Sequence, residues 1–489
     1  MTPAPYDLAV IGAGVVGTAI ARELALRSSH RIVLLDASDD VGNGTSKANT
    51  AILHTGFDAT PGSLESRLLR DGQRRLLDHA AQARIAVEKT GALLVAWNED
   101  ELAALPSLAA KAAANGYTAT RLLTAAELRT REPHLGPGAL GALEVPDESI
   151  IDPWSTTLAY ATEAVRAEVE LRLRTRVTGI GTDPDGHLLH TTRGPLRARF
   201  LINAAGLHSD DIDRLLGVHD FTVTPRRGQL LVFAKESRSL VRHILLPVPT
   251  ALGKGVLVTP TVFGNVLLGP TAEDLTGREH AKNENHTTPE GIAGLLEHGR
   301  RIMPALLDTG VLTSYAGLRA ATEHDDFRIR AHPALRCVTV GGIRSTGLSA
   351  SMGIASYVAG LLREEMDVPL AARPTDASAP AMPNLGEAFP RPHQRPELIA
   401  RDRAYGDIVC ACERVSRGEI RDALTATVPA RSQGGLRRRT RVMSGHCRGA
   451  DCGEAVRALC EQVLGETVWP EEEKGRSEGE AVRPVQGNG

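Results

Sequence analysis

Three scarcities narrow what this 489-residue chain can be. It has six cysteines, too few for a scaffold held by disulfides. It has no unbroken apolar run near the roughly 20 residues that cross a bilayer, and its N-terminus lacks a basic stretch followed by an apolar signal segment. These absences predict a cytoplasmic protein with at most peripheral membrane association. It also has no marked excess of charge: 56 Lys and Arg against 59 Asp and Glu give a formal net charge of -3 and a pI near 6.6. No global field would gather nucleic acid, so any anion-binding site must be local.

What is present points to about two to four structural units, because a chain of this length exceeds one ordinary core. From Tyr6 to about residue 365, strand-like and helix-like segments alternate, which predicts an α/β body with a largely parallel sheet covered by helices. From 367 to 399 the composition turns to Pro, Ala and polar residues and reads as a linker. A compact cysteine-bearing segment covers 400–463. The charged tail 464–489 cannot bury enough apolar area to order itself and is expected to be disordered. No internal repeat is visible.

The segment YDLAVIGAGVVGTAIARELA runs an apolar strand into Gly12-x-Gly14-x-x-Gly17 and then into an amphipathic helix. Gly12 suits a tight turn, Gly14 lets a pyrophosphate approach the backbone, and Gly17 permits close helix packing, with the helix N-terminus favouring negative charge. The next strand, HRIVLLD, ends at Asp36, placed to accept hydrogen bonds from ribose hydroxyls. A second G-x-G-x-x-G at Gly136, Gly138 and Gly141 contains proline and follows no strand, so it reads as a turn. The fingerprint by itself does not separate FAD from NAD.

Near the other end, Cys410-Ala-Cys412 is followed after 34 residues by Cys447-x4-Cys452. Four thiolates in two close pairs suit either an iron–sulfur cluster or tetrahedral zinc, and the C-x-C spacing favours iron because zinc knuckles are usually C-x2-C. Unligated thiols are the remaining reading. Cys337, in the apolar strand RCVTV, and Cys460, on a helix beside Leu459, read as core thiols. Arg437, Arg438, Arg439 and Arg441, lying between the ligand pairs, are expected to neutralise the cluster's charge.

Several stretches carry a resemblance: G-T-S at Gly44, Thr45 and Ser46, then Asn49, I-L-H-T-G from Ile52 to Gly56, P-G-S-L from Pro61 to Leu64, and LINAAG ending at Gly206. Over roughly residues 5 to 365 the chain resembles the D-amino-acid-oxidase-like flavoproteins, and within them the FAD-dependent glycerol-3-phosphate dehydrogenases and oxidases and the L-2-hydroxyglutarate oxidases. The resemblance implies an α/β (α+β) fold, with a Rossmann-like FAD-binding domain from about 1–75, 145–220 and 330–366. It implies an inserted substrate domain with a mixed sheet, from about 76–144 and 221–329. It places Thr45, Ser46 and Asn49 at the pyrophosphate and flavin edge, offers the backbone of Val177 to the adenine, and points the helix start at Gly347 and Leu348 toward the flavin pyrimidine edge, where a helix dipole would stabilise the anionic reduced ring. The terminal segment resembles the small helical bacterioferritin-associated-ferredoxin-like domain, which implies a 2Fe-2S cluster on Cys410, Cys412, Cys447 and Cys452.

By the same resemblance His54 is the acid/base group, since oxidising a secondary alcohol removes the hydroxyl proton as hydride leaves carbon and a neutral imidazole has a suitable pKa. Lys254 and Arg319 would bind an anionic substrate, with Ala320 standing where the family pattern has proline, and Arg344 in the glycine-rich turn could meet substrate or flavin. The expected enzyme oxidises a small anionic secondary alcohol, glycerol 3-phosphate first, an L-2-hydroxy acid second, an amino acid or amine third. Its electrons would pass from FAD through the cluster to an acceptor protein or a quinone-linked partner subunit. A non-enzymatic electron-transfer subunit is the contrasting possibility.

Overall fold

Tyr6–Ile11 is buried along its length and forms the middle of an eight-stranded sheet, with Ile32–Leu35 and Leu196–Asn203 parallel on either side. Glu170–Arg172 and Cys337–Gly341 extend the parallel part, and antiparallel strands complete it. The computed structural model describes residues 5–249, 255–277, 280–371 and 379–465. The expected largely parallel sheet is therefore this one alone, and it is mixed at its edges.

The helices Val15–Leu26, Pro153–Arg166 and Gly347–Met366 bury one face against the parallel strands, in a core that holds Leu8, Val10, Ile20, Leu34, Tyr160 and Ile354. Asp152 caps the second of these helices by accepting from the N–H groups of Trp154 and Ser155, with Pro153 at the first helical position. Helix Leu64–Ala83 crosses Gly347–Met366 at backbone contact: a Cβ on Gly353 would stand 2.2 Å from the Leu68 carbonyl oxygen, and one on Gly72 2.5 Å from that of Ser349.

A second, nine-stranded sheet forms the part expected to take the substrate, called the substrate half. Its longest pairing is antiparallel, Thr224–Phe233 with Val311–Ala321, in a register that sets Arg226 opposite Arg319, Gly228 opposite Gly317 and Leu230 opposite Tyr315. Directly opposed residues share a face, so these six lie together, while Leu231 and Phe233 point the other way into a core with Leu295 and Ile302 of helix Pro289–Ile302. A cavity of about 270 Å³ opens beside that helix, lined by Gly255, Thr271, Glu290 and His298 among others, and among the described residues none of those expected at the active site lines it.

The C-terminal unit is a short hairpin, Ile408–Cys410 with Val415–Ser416, and three helices, Arg417–Thr425, Gln433–Thr440 and Gly453–Leu464. Its own core gathers Val415, Ile420, Leu436, Val456 and Leu459 with Cys410, Cys452 and Cys460. The described part of the linker lies on the body: Leu385 is buried in the substrate half, and Glu387 donates its N–H to the Val262 carbonyl at 2.8 Å. The tail expected to be disordered falls, from residue 466, outside the described residues. Among the described residues no helix is long and apolar enough to cross a membrane.

Candidate functional site

The glycine turn is built to leave space. Gly12 has φ +106°, and a Cβ there would meet the Ala204 carbonyl oxygen at 2.4 Å. A Cβ on Gly17 would stand 1.8 Å from the Gly12 oxygen, so only glycine allows the helix this close to the strand. Gly14 opens the helix with no side-chain cap of its own, and the nearest atom to an added Cβ is Ser46 Oγ at 3.2 Å. That hydroxyl also accepts the N–H of Val15 at 3.0 Å. An uncovered helix N-terminus with a hydroxyl beside it fits a dinucleotide pyrophosphate. Asp36, at the end of the second strand, accepts the N–H of Ala13 at 2.7 Å and that of Ser38 at 2.7 Å, so one carboxylate braces the turn and keeps lone pairs for a ribose. Gly206 has φ +57°, Val177 opens a strand at an irregularity of register, and the Gly136 motif is a turn, as its proline implied.

Replacing Gly17 with Ala is expected to leave the purified protein without flavin, because the clash is with backbone and cannot be relieved by turning a side chain. Flavin absorbance per polypeptide reads this directly, and a Gly17→Ala protein with full flavin content would refute it.

The loop after the fingerprint is fastened to the second sheet. Thr45 Oγ1 donates to the Leu318 carbonyl at 2.8 Å, Tyr315 Oη to that of Asn49 at 2.8 Å, and Asn49 Nδ2 to that of Ser46 at 2.7 Å. A Cβ on Gly317 would lie 2.3 Å from the Ala48 oxygen. Arg319, one residue beyond Leu318, therefore sits on the sheet face that covers this loop. Its guanidinium has no hydrogen-bond partner among the described residues, and its Nη2 lies 3.1 Å from where a Gly228 Cβ would be. Burial, aided by the Arg226 guanidinium opposite and opposed by Asp274, pushes its pKa down to about 10. Arg226 itself is held bidentately by Asp274 at 2.6 and 2.9 Å. A desolvated cation facing another cation fits an anion as its missing counter-charge. Arg344 is elsewhere engaged, bonding the backbone oxygen and carboxylate of Asp325. Lys254 lies outside the described residues.

His54 ends the strand Ile52–Leu53, and its N–H donates to Ser349 Oγ at 2.8 Å, so it touches the first turn of the helix that starts at Gly347 and Leu348. Its Nδ1 is 3.0 Å from Glu148 Oε2, and the other carboxylate oxygen accepts from Thr55 N–H at 2.7 Å and Thr55 Oγ1 at 2.8 Å. Glu148 is fully buried and the imidazole is 21% exposed. The chain separates the pair by 94 positions, and the three-stranded sheet of Ile52–Leu53, Ser149–Ile151 and Val87–Glu88 brings them together. No local motif marked Glu148; only an acidic residue after a turn, PDES, stood in the sequence.

In the C-terminal unit the four cysteines converge. Cys410 and Cys452 are buried, Cys412 and Cys447 partly so. Ligand atoms of Cys412, Cys447 and Asp451 lie within 4.8 Å of one another, and Cys452 is in hydrogen-bonding contact with both Cys410 and Cys447. The N–H groups of Asp451 and Gly449 are aimed at Cys447 and lower its pKa, while burial and the neighbouring thiolates push Cys452 up to about 12. Convergent thiols with backbone donors at sulfur fit an iron–sulfur cluster. Cys337 and Cys460 are core thiols, as expected. Three of the arginines are paired with carboxylates: Arg438 and Arg439 bind Asp40 of the flavin half, and Arg441 binds Glu413, the residue after Cys412. Burial at a domain seam demands a paired carboxylate for each guanidinium cluster, and that requirement decides their direction.

Residues 7–361 match the family model described as FAD dependent oxidoreductase, and residues 408–462 match that of the BFD-like [2Fe-2S] binding domain. The chain is 34% identical to a glycerol 3-phosphate dehydrogenase of Caloramator mitchellensis over 94% of this chain and 95% of that one. It is 30% identical to a glycerol 3-phosphate oxidase of Mycoplasma pneumoniae over 73% of this chain and 94% of that one. Among solved structures, the dithionite-reduced L-alpha-glycerophosphate oxidase of Mycoplasma pneumoniae with FAD bound superposes with a TM-score of 0.69 at 29% identity, covering 76% of this chain and 97% of that one.

Proposed function

The chain belongs to the FAD dependent oxidoreductase family and carries a BFD-like 2Fe-2S domain, and from that premise we propose that it oxidises sn-glycerol 3-phosphate to dihydroxyacetone phosphate. The observation that carries the substrate's charge is Arg319, a desolvated guanidinium with no hydrogen-bond partner among the described residues, on the face over the Ser46 loop. A phosphate or carboxylate would be taken bidentately by such a fork. The choice of phosphate rests on the 34% identical relative, a glycerol 3-phosphate dehydrogenase alike over nearly its whole length.

His54 takes the hydroxyl proton. Glu148 accepts at Nδ1, which fixes the neutral tautomer and makes Nε2 the atom that receives the substrate's proton. FAD, when bound, would supply the hydride acceptor, and Cys410, Cys412, Cys447 and Cys452 would hold a 2Fe-2S cluster that would supply a one-electron carrier toward an external acceptor, a protein or a quinone-linked subunit. Gly12, Gly14, Gly17, Asp36, Thr45, Ser46, Asn49, Val177 and Gly206 would hold the FAD, and the helix start at Gly347 and Leu348 would face its ring. Lys254 would add a second positive charge at the substrate.

Anaerobic mixing with candidate donors tests this: glycerol 3-phosphate should bleach the flavin faster than L-2-hydroxyglutarate, and the reverse order would transfer the assignment to the hydroxy acid. Replacing Arg319 with Met should raise KM about 10- to 150-fold with a smaller change in kcat, the range that corresponds to about 1.5–3 kcal/mol of charge-assisted hydrogen bonding. A KM that the Arg319→Met variant leaves unchanged would count against anion binding there.

A further inference from the structure

The iron–sulfur unit is joined to the flavin half by one buried charge cluster and to the substrate half by a second, with an aromatic stack beside the second. Asp40, 1% exposed, accepts Arg439 bidentately at 2.8 and 2.8 Å and Arg438 at 2.7 Å, all from helix Gln433–Thr440. Glu413, the residue after the ligand Cys412, accepts Arg441 Nε at 3.1 Å and Lys235 Nζ of the substrate half at 3.0 Å. Arg441 continues across the seam to Asn265 Oδ1 at 3.1 Å and lies over the Phe263 ring, 4.5 Å from its centroid. Phe263 stacks on Trp154 with centroids 4.9 Å apart and planes 15° from parallel. Trp154 Nε1 donates to the Lys47 carbonyl at 3.1 Å, and Lys47 follows Ser46 in the loop at the fingerprint helix. Every link from the cluster ligand to the dinucleotide loop is thus a short contact between partly or fully buried groups.

We propose that this seam is a docking lock: Asp40 with Arg438 and Arg439, and the Arg441, Phe263 and Trp154 stack, are positioning residues that hold the iron–sulfur unit in the one pose in which electrons pass between flavin and cluster. The inference rests on the flavin-to-cluster transfer put forward above. Oxidation of one alcohol releases two electrons and two protons, one carried with the hydride and one taken by His54. A 2Fe-2S centre accepts one electron at a time, so two transfers occur per turnover and two equivalents of an external one-electron acceptor are reduced, with the protons released to solvent. A unit that must be docked for transfer delivers electrons in proportion to its docked fraction, so weakening the lock slows transfer without touching substrate oxidation. The buried charges make the lock specific, because undocking through loss of one partner leaves guanidinium groups without their counter-charge.

The variants Asp40→Asn and Phe263→Leu test it in the full-length protein loaded with FAD and cluster. Flavin and iron content should match the unmodified protein, showing that both domains are folded. The flavin is reduced under anaerobic conditions by rapid mixing with whichever candidate donor bleaches it, a hydride donor that cannot reduce the cluster directly, and the flavin band and the EPR signal of the reduced cluster are followed together. In the unmodified protein the cluster should fill as the flavin reduces. In each variant cluster filling should lag by about tenfold or more, as expected when a competent pose becomes a minor population, and small-angle scattering should show a larger radius of gyration. Variants whose clusters fill at the unmodified rate with unchanged scattering would overturn the lock. An unmodified protein whose reduced flavin never fills the cluster would overturn the transfer reading on which the lock rests, a separate result obtained before any variant is made.

Discussion

His54→Asn and Glu148→Gln are each expected to lower kcat by about 10²–10⁴-fold, the usual worth of a positioned acid or base, with flavin content unchanged. Asn at 54 removes the ring nitrogen that takes the proton and keeps the N–H to Ser349 Oγ. The Gln variant is the sharper test, since it keeps the size and shape of the side chain and removes its charge. Its amide oxygen can still accept from Thr55, so its NH₂ is turned toward His54 Nδ1. Nδ1 then becomes an acceptor, the ring proton moves to Nε2, and the substrate meets a donor where it needs a base. The loss should therefore fall on kcat more than on KM. It should appear in single-turnover bleaching of the flavin. Normal bleaching by the Glu148→Gln variant would show that the carboxylate only supports the fold around Thr55.

That pair also marks the boundary of what the sequence discloses. Gly12, Gly14, Gly17 and Asp36 were legible because the turn, the helix start and the next strand are contiguous, and each needs a residue type that local sterics dictate. The four cysteines were legible because two close pairs carry their chemistry in their spacing. His54 was legible only through its resemblance to a family pattern. Glu148 was not, because a partner 94 residues away is chosen by sheet pairing and not by any local rule. The same holds for the arginines between the ligand pairs. Their charge suggested the cluster, yet Asp40, about 400 positions earlier at 1% exposure, supplies the counter-charge that burial requires. Arg344, whose place in the glycine-rich turn suggested the site, bonds the backbone oxygen and carboxylate of Asp325.

Cys447→Ser is expected to abolish the iron and acid-labile sulfide of the purified protein while flavin and its bleaching by substrate persist. Cys447 is the proposed ligand at which the two pairs meet: it contacts Cys412 and Cys452, and the N–H groups of Asp451 and Gly449 are directed at its sulfur. A serine hydroxyl is a poor thiolate substitute for iron and would leave those donors facing a neutral oxygen. Reduction of an external one-electron acceptor by substrate should then fall to the slow rate of the flavin alone, giving a variant active in its first half-reaction and silent in its second. Metal analysis of the parent distinguishes the centre's identity, since zinc without labile sulfide would replace the cluster by a structural ion and remove the route to the acceptor. The loss should also be felt in stability. A unit of this size has a small core, and its cysteines are part of that core, so metal binding and folding are coupled. Proteolysis of Cys447→Ser should accordingly cut within 400–465 while the body stays intact, and equal protection of both halves would mean that the small unit folds on its apolar contacts and its seam with Asp40 alone.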